Sequence, residues 1–201
     1  MLPLIDTLDL RGYMESFNVP GHHIKVKLPS TRQPKCFSCG ASALRAIATH
    51  FKVGPNNEQF YIDKCKTNKD GTPPENIIRT ALELGLSVNA KQYMTILELR
   101  NYLDQGIPVM CLIQAWGDKE YYNTHDYDGH YVVAIGYTDD KIYFMDPSIK
   151  GSHGFLKNAE FMDRWHDEEV DGTKTVQCGI AIWKPTKNRK KQDLRKVKKI
   201  Q

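Results

Sequence analysis

The feature that most constrains the fold is a change in the spacing of apolar residues near Gly106. Before it, apolar positions recur every three or four residues, and the capping patterns TPPE (72–75) and TILE (95–98) predict helices that end at Gly85 and Gly106. After it, short β-branched and aromatic segments lie between turns, which is typical of strands. Helices followed by strands predict an α+β domain, with an N-terminal helical half packed on a C-terminal antiparallel sheet. The predicted strands are IPVMCLIQAW, HYVVAIGY, KIYFMD and CGIAIW.

The helix boundaries are predicted from residues that typically cap or end helices. The first helix begins at Cys39, carries a core-facing apolar stripe and ends before Gly54. A short helix is predicted over 58–66 and another over 158–167. In the TPPE pattern, Thr72 is the predicted N-cap. The stripe of the first helix consists of Ala41, Leu44, Ile47, Ala48 and Phe51.

Charge is distributed unevenly along the 201 residues, whose formal net charge is +4. Residues 184–201 hold nine of the 28 basic residues and one of the 24 acidic ones, so residues 1–183 carry a net charge of −4. The predicted organisation is an N-terminal arm (1–27), one domain (28–183) and a flexible basic tail (184–201). Because the tail lacks interleaved aromatic residues, no nucleic-acid partner is expected.

The cysteines and the N-terminal sequence predict a cellular location. An odd number of cysteines argues against a disulfide framework. The N-terminal residues lack the basic and apolar regions of a secretory signal, and no apolar run is long enough to span a membrane. We therefore expect reduced thiols in the cytoplasm, with export by a route without such a signal left open. The five cysteines are Cys36, Cys39, Cys65, Cys111 and Cys178.

The segment CFSCG places Cys39 at the start of the first predicted helix. A thiol is a good nucleophile only as the thiolate, which a helix N-terminus and a nearby imidazolium both favour. Cys39 is therefore the candidate nucleophile, and Gly40 is expected to let a substrate backbone approach. Cys36 and Cys39 could instead form half of a zinc site, but the sequence offers no second ligand pair with suitable spacing. Neither a metal nor an organic cofactor is expected.

A predicted hairpin brings a histidine to a carboxylate. If residues 138–140 form a three-residue loop between HYVVAIGY and KIYFMD, Tyr137 faces Lys141 and register places His130 diagonally across from Asp146 on one face. Such neighbours lie roughly 7–8 Å apart at the backbone, within reach of an imidazole and a carboxylate. His130 is the candidate base, and Asp146 is the candidate group that orients it.

Three linked segments carry a resemblance to a known family. They are LPSTRQPKCFSCGASALRAI, DGHYVVAIGYTDDKIYFMDPS and EFMDRWHD. In this order they resemble the C39-like group of papain-fold cysteine peptidases, which is similar to the bacteriocin-processing peptidases that cut after a double-glycine leader. The resemblance covers about residues 28–183. Two departures stand out, because Ser38 occupies a position where the leader-cutting enzymes usually have Asp, and the chain carries no transporter segments.

The resemblance implies a peptidase that acts on a peptide or protein substrate. It implies Cys39 as nucleophile, His130 as base, Asp146 as its partner and Gln33 in the oxyanion hole. An acyltransferase or a deamidase on the same residues is the first alternative, because the same thioester can pass to another acceptor. The second alternative is an inactive binding module that uses the basic tail as its contact.

Overall fold

The computed structural model describes residues 23–124, 128–149, 151, 153–168 and 172–185. Most of the predicted arm and tail lies outside these residues. The N-terminal half contains α1 (Cys39–His50), α2 (Glu58–Lys64), α3 (Pro74–Glu83), β1 (Ser87–Lys91) and α4 (Ile96–Asp104). The C-terminal half contains β2 (Val109–Gln114), α5 (Lys119–Tyr122), β3 (Gly129–Tyr137), β4 (Lys141–Met145), β5 (Gly154–Lys157), α6 (Asn158–Arg164), β6 (His166–Glu168), β7 (Lys174–Val176) and β8 (Gly179–Trp183).

An antiparallel sheet organises the molecule. Its six strands lie in the order β1-β8-β2-β3-β4-β5, and β6 and β7 form a separate two-stranded ribbon. Every residue of β2 is buried, which is typical of a strand covered on both faces. Helices of the N-terminal half pack against this sheet, so the architecture is α+β as predicted.

Helix α1 supplies the N-terminal half of the core and packs against β3. Its predicted stripe is confirmed, since Ala41, Leu44, Ile47 and Ala48 are fully buried and Phe51 packs against the core just after the helix. Because 3.6 residues complete one helical turn, apolar residues that recur every three or four positions lie on the same face of the helix. The first residue of α1, Cys39, is thereby fixed at the end of β3 that carries His130.

The β3–β4 hairpin differs from the prediction in its register. Tyr137 pairs with Ile142 rather than with Lys141, so the predicted pairing at the turn is wrong. A bulge between Ala134 and Gly136 then shifts the register by one residue, and Val133 pairs with Met145 as the predicted alignment requires. The carbonyl of the bulged residue, Ile135, accepts the N–H groups of Lys25 and Val26 at 2.8 Å each. The described end of the N-terminal arm therefore holds the bulge.

Several local predictions need correction. Thr72 does not cap α3, because Pro73 occupies the N-cap position and the Thr72 hydroxyl lies 2.8 Å from that of Thr67. Helix α2 ends at Lys64, and the segment after α6 is a strand instead of a continued helix. Four strands were not predicted: β1, β5, β6 and β7. Their few apolar residues explain this, since β1 and β5 are half-exposed sheet edges.

Candidate active site

Cys39 is the first residue of α1, and its side chain is buried. The preceding Ser38 occupies the N-cap position without capping the helix, because its hydroxyl donates to the Lys35 carbonyl at 3.2 Å. The first backbone N–H groups of a helix have no partner within it. The Cys39 thiol therefore lies where the positive end of the helix dipole favours a negative charge.

Gly40 has a packing role that the sequence did not indicate. A Cβ at this position would lie 2.8 Å from the Thr72 Cβ and 3.0 Å from a ring carbon of Tyr131. Approach at this distance is possible only without a side chain. In the structure, Gly40 thus allows α1 to contact Thr72 and β3, and the approach of a substrate backbone to Gly40 stays a prediction.

His130 and Asp146 meet as a hydrogen-bonded pair. His130 lies near the start of β3, and Asp146 directly follows β4. The His130 Nε2 and an Asp146 carboxylate oxygen are 2.7 Å apart, and the imidazole is almost completely buried. The same oxygen accepts the N–H and the hydroxyl of Ser148, each at 2.8 Å. Ser148 therefore fixes the carboxylate that bonds His130.

Electrostatics couple His130 to Cys39. Burial by itself lowers the pKa of His130, but a hydrogen bond with Asp146 and interactions with the Cys39 sulfur raise it, and the resulting pKa is about 9. For Asp146, burial raises the pKa, and the hydrogen bonds from His130 and Ser148 outweigh it and lower the pKa. The pair is thus an imidazolium and a carboxylate near neutral pH. Because Nε2 bonds Asp146, the second ring nitrogen is the one left for Cys39.

Gln33 adopts a different arrangement from the other three candidates. Its Nε2 donates to the carbonyls of Lys35 and Cys36 at 3.0 Å and 2.9 Å. These two bonds use both N–H groups of the amide, while its oxygen is buried without a partner among the described residues. The structure therefore brings Cys39, His130 and Asp146 together but directs the Gln33 amide at its own loop.

A cleft of about 670 Å³ runs over Cys39 and His130. Lys69 and the His130 imidazolium are cationic groups in its lining, four carboxylates also line it, and Lys174 pairs with one of these, Glu168, at 3.2 Å. Trp116 forms part of this wall beside His130, with ring centroids 5.5 Å apart. The acidic residues are Asp70, Asp128, Asp167 and Glu168. A neighbouring hollow of about 710 Å³ shares Pro73 with the cleft and contains none of the four candidate residues.

Sequence reasoning missed Ser148 and Trp116. The signal for Ser148 was present, because Ser two residues after Asp often closes a side-chain turn and DPS has this spacing. The signal for Trp116 was absent, since it follows a buried strand and reads as a strand residue. Within the described residues, no group of three or more His, Cys, Asp or Glu side chains could hold a metal ion.

The sequence model of the peptidase C39 family matches residues 27–170. The chain belongs to the peptidase C39 family. It is therefore a cysteine peptidase, as the sequence resemblance implied, and its α+β architecture is the papain-like arrangement expected for the family. Among curated proteins, none matches this C39 chain.

Solved structures with the same fold include three peptidases. The peptidase domain of Streptococcus ComA, a bi-functional ABC transporter involved in a quorum sensing pathway, is 21% identical with a TM-score of 0.59, over 82% of this chain and all of that domain. A double glycine motif protease from an AMS/PCAT transporter, in complex with the leader peptide, is 16% identical with a TM-score of 0.56, over 80% and 94%. A Bacillus anthracis chain described as a C39-like peptidase is 16% identical with a TM-score of 0.63, over 82% and 98%.

Two of these solved structures come from transporters. In the part of the chain that the structure describes, no helix is both long and apolar enough to cross a membrane. The predicted basic tail lies almost entirely beyond residue 185 and so outside the described residues.

Proposed function

We propose that this C39 peptidase hydrolyses a peptide or isopeptide bond through a thioester on Cys39, with His130 as base and Asp146 as orienting acid. The observation that carries the proposal is the buried His130–Asp146 hydrogen bond of 2.7 Å beside the Cys39 sulfur, with Cys39 and His130 lining the cleft. A nucleophile, a base and a third group that orients the base are the parts that covalent acyl transfer requires.

The proposed reaction has two stages. The Cys39 thiolate attacks the scissile carbonyl carbon, and the resulting tetrahedral oxyanion collapses as His130 donates its proton to the departing amine. This leaves an acyl thioester on the sulfur. His130, now neutral, then takes a proton from water, whose oxygen attacks the thioester and releases the carboxylic acid and the Cys39 thiolate. Asp146 keeps the imidazole oriented throughout and stabilises its protonated form.

The oxyanion needs hydrogen-bond donors at the start of α1. We propose the Cys39 N–H as one donor, because it belongs to the first helical turn, and the Gln33 amide as the second. In the described conformation, Gln33 donates to Lys35 and Cys36. The proposal therefore includes a rotation that moves the amide from these carbonyls to the cleft. The rotation breaks these two hydrogen bonds, and it releases the Gln33 oxygen from a buried position where it has no partner among the described residues.

Peptides are the proposed substrates. The AMS/PCAT protease of similar fold is described in complex with a leader peptide. In this chain, four carboxylates outnumber the two cationic groups, Lys69 and His130, in the lining of the cleft, so basic residues near the scissile bond are expected to be preferred over acidic ones. We place the reaction in the cytoplasm, because all five cysteines are free in the structure and a reducing compartment keeps them so.

The experiment that tests the proposal is cleavage of a proteome-derived peptide mixture. Purified chain and its Cys39→Ala variant are incubated with the mixture, and mass spectrometry identifies new termini. The proposal predicts products that form with the wild-type chain and are absent with the variant. Hydrolysis adds one water across the broken bond, whereas transfer to an amine or loss of ammonia from glutamine would indicate the acyltransferase or deamidase alternative.

A Cys39-directed activity probe tests the alternative of an inactive binding module. The proposal predicts labelling of the wild-type chain well above the level of Cys39→Ala. Equal labelling of both proteins, together with identical peptide mixtures after incubation, would refute the peptidase mechanism.

A further inference from the structure

Trp116 is a large exposed aromatic residue beside the proposed base. It lies just after β2, which is buried throughout, yet 49% of its own surface is exposed. Its ring centroid lies 5.5 Å from that of His130 with the rings inclined by 38°, and it lines the cleft. An aromatic surface left in water at a site of chemistry is typical of a group that contacts a ligand.

The buried side chain of Arg164 donates hydrogen bonds to the backbone at Trp116. The Arg164 side chain is 8% exposed, and its Nη1 donates to the carbonyls of Gln114 and Trp116 at 3.1 Å and 3.3 Å. Its Nη2 donates to the Gly117 carbonyl at 2.8 Å. Burying a guanidinium is costly unless its donors are satisfied, and here three carbonyls of one loop and the Glu160 carboxylate, 3.0 Å from Nε, satisfy them. Arg164 thus fixes the loop over 114–117.

The side chain of Gln114 connects the same segment to both sides of the cleft by hydrogen bonds. The fully buried side chain of Gln114 donates to an Asp167 oxygen at 2.7 Å and accepts the Asp128 N–H at 3.2 Å. Asp128 precedes β3, and Asp167 belongs to β6. The backbone that carries Trp116 is therefore held from three directions, so the indole is presented on a rigid support rather than on a free loop.

We propose that Trp116 is a substrate-contacting wall of the active site, against which the peptide backbone and apolar side chains pack next to the scissile bond. Arg164 is the positioning residue that keeps this wall in place. The inference rests on the proposed peptidase function. Flat amide groups and apolar side chains both pack on an indole face, so the wall takes an extended peptide of varied sequence.

Kinetics on a quenched fluorogenic peptide test the wall. Its sequence is taken from a peptide that is cleaved only when Cys39 is present. Trp116→Ala is expected to lower kcat/KM about tenfold or more, mainly by raising KM. Truncating a tryptophan that contacts a ligand commonly weakens binding by about this factor. Trp116→Phe should retain most of the activity. The matched control is Phe155→Ala, since Phe155 is also exposed, at 56%, but does not line the cleft.

Alkylation by iodoacetamide separates substrate contact from an effect on the base. This small reagent needs the Cys39 thiolate but no wall, so its rate and its pH profile, measured in a Cys36→Ser background because Cys36 is exposed, should be unchanged in Trp116→Ala. A kcat/KM within twofold of wild type would overturn the inference. An equal fall in alkylation rate and in kcat/KM would also overturn it, because Trp116 would then act through His130.

A double variant tests the positioning role of Arg164. Arg164→Met should raise KM as Trp116→Ala does, and combining the two should add less than about twofold, because both remove the same wall. Independent, multiplicative effects would overturn this part. If thermal unfolding shows that Arg164→Met does not fold, Arg164→Lys replaces it and should give an intermediate KM.

Failure of the proposed function gives a different result. In that case wild type and Cys39→Ala release the same products, and the wall inference falls with the mechanism. Failure of the wall inference alone leaves Cys39-dependent cleavage intact while Trp116→Ala behaves like the Phe155→Ala control.

Discussion

At the scale of single residues, the proposed chemistry depends on how Asp146 is held. Its carboxylate accepts hydrogen bonds from His130 and from two groups of Ser148 through a single oxygen. A carboxylate fixed in this way keeps one ring nitrogen of His130 occupied and turns the other toward Cys39. The spacing of Asp146, Pro147 and Ser148 provides the orienting group and its support within one turn.

The pH dependence of activity follows from the raised pKa of His130. The group has an ordinary pKa of 6.5 and one of about 9 in the fold, so it is protonated at neutral pH and loses its proton as the pH rises through about 9. Because the protonated ring must donate to the departing amine, kcat/KM should fall on the alkaline side with an apparent pKa of about 9. A pH–rate profile that stays flat to pH 10 would contradict this assignment.

Asp146→Asn should shift the alkaline fall of kcat/KM to lower pH. Removing the carboxylate removes one of the causes that raise the pKa of His130, so the fall should begin at lower pH. We also expect kcat to drop by about 10²-fold or more, since the imidazole loses its orienting partner. Asp139→Asn, at the exposed tip of the β3–β4 hairpin, is the matched control and should change neither quantity. An unshifted limb in Asp146→Asn would show that another group sets the profile.

At the scale of elements, an ion pair joins the helix of the nucleophile to the next helix. Arg45 of α1 and Glu58 of α2 approach at 2.9 Å with side chains 17% and 11% exposed. Burial raises the pKa of Glu58 even though Arg45, Ser42 and Ser38 all lower it. The desolvation of the carboxylate therefore outweighs its attraction to the arginine.

Two substitutions at Glu58 should separate its charge from its hydrogen bonds. Glu58→Gln keeps an acceptor without the buried charge, so the free energy of unfolding at pH 7 should change by no more than about 1 kcal/mol. Glu58→Ala leaves Arg45 buried without its partner and should cost about 3 kcal/mol. Urea denaturation measures both. If Glu58→Gln lowers the free energy of unfolding as much as Glu58→Ala does, the charge itself stabilises the contact between α1 and α2.

The elements also show what sequence could predict. Helix α1 and strands β2, β3, β4 and β8 were predictable because their apolar periodicity is strong. The capping box of α4 was predictable from TILE, and both of its hydrogen bonds are present. Strands β1 and β5 were missed because edge strands bury little, and Thr72 was misassigned because the helix has Pro73 as its N-cap and the Thr72 hydroxyl pairs with that of Thr67.

The meeting of His130 and Asp146 was predicted from a register that is only partly right. Tyr137 pairs with Ile142, and continuing that register would have shifted the pairing near His130 by one residue and changed which face each side chain takes. The bulge at Ile135 removes the shift. Bulges carry no clear sequence signal, and this one is held by Lys25 and Val26 from a distant segment, so the sequence alone could not reveal it.

At the scale of the whole molecule, one continuous core joins the helices to the sheet. Buried residues of α1, α3, α4, α6 and the central strands belong to a single cluster. We therefore expect the Cys39 side and the His130 side of the site to unfold as one cooperative unit.

Leu44→Ala tests this cooperativity. Leu44 is fully buried in α1, so its truncation should cost about 3 kcal/mol and lower Tm by about 6–12 °C for a chain of this size. Unfolding followed by far-UV and near-UV circular dichroism should remain a single coincident transition. Leu97→Ala, at a position 76% exposed, is the control and should stay within about 0.5 kcal/mol. Two separated transitions in Leu44→Ala would show that the helical half unfolds independently of the sheet.

The most direct test of the account is the rate at which iodoacetamide alkylates Cys39 at pH 6, with and without His130. The measurement uses a Cys36→Ser background, because Cys36 is exposed and would also react, and mass spectrometry follows the labelled peptide. If the imidazolium of His130 stabilises the thiolate, His130→Ala should lower the rate at least about tenfold. Equal rates in the two proteins would contradict the pairing of Cys39 with His130.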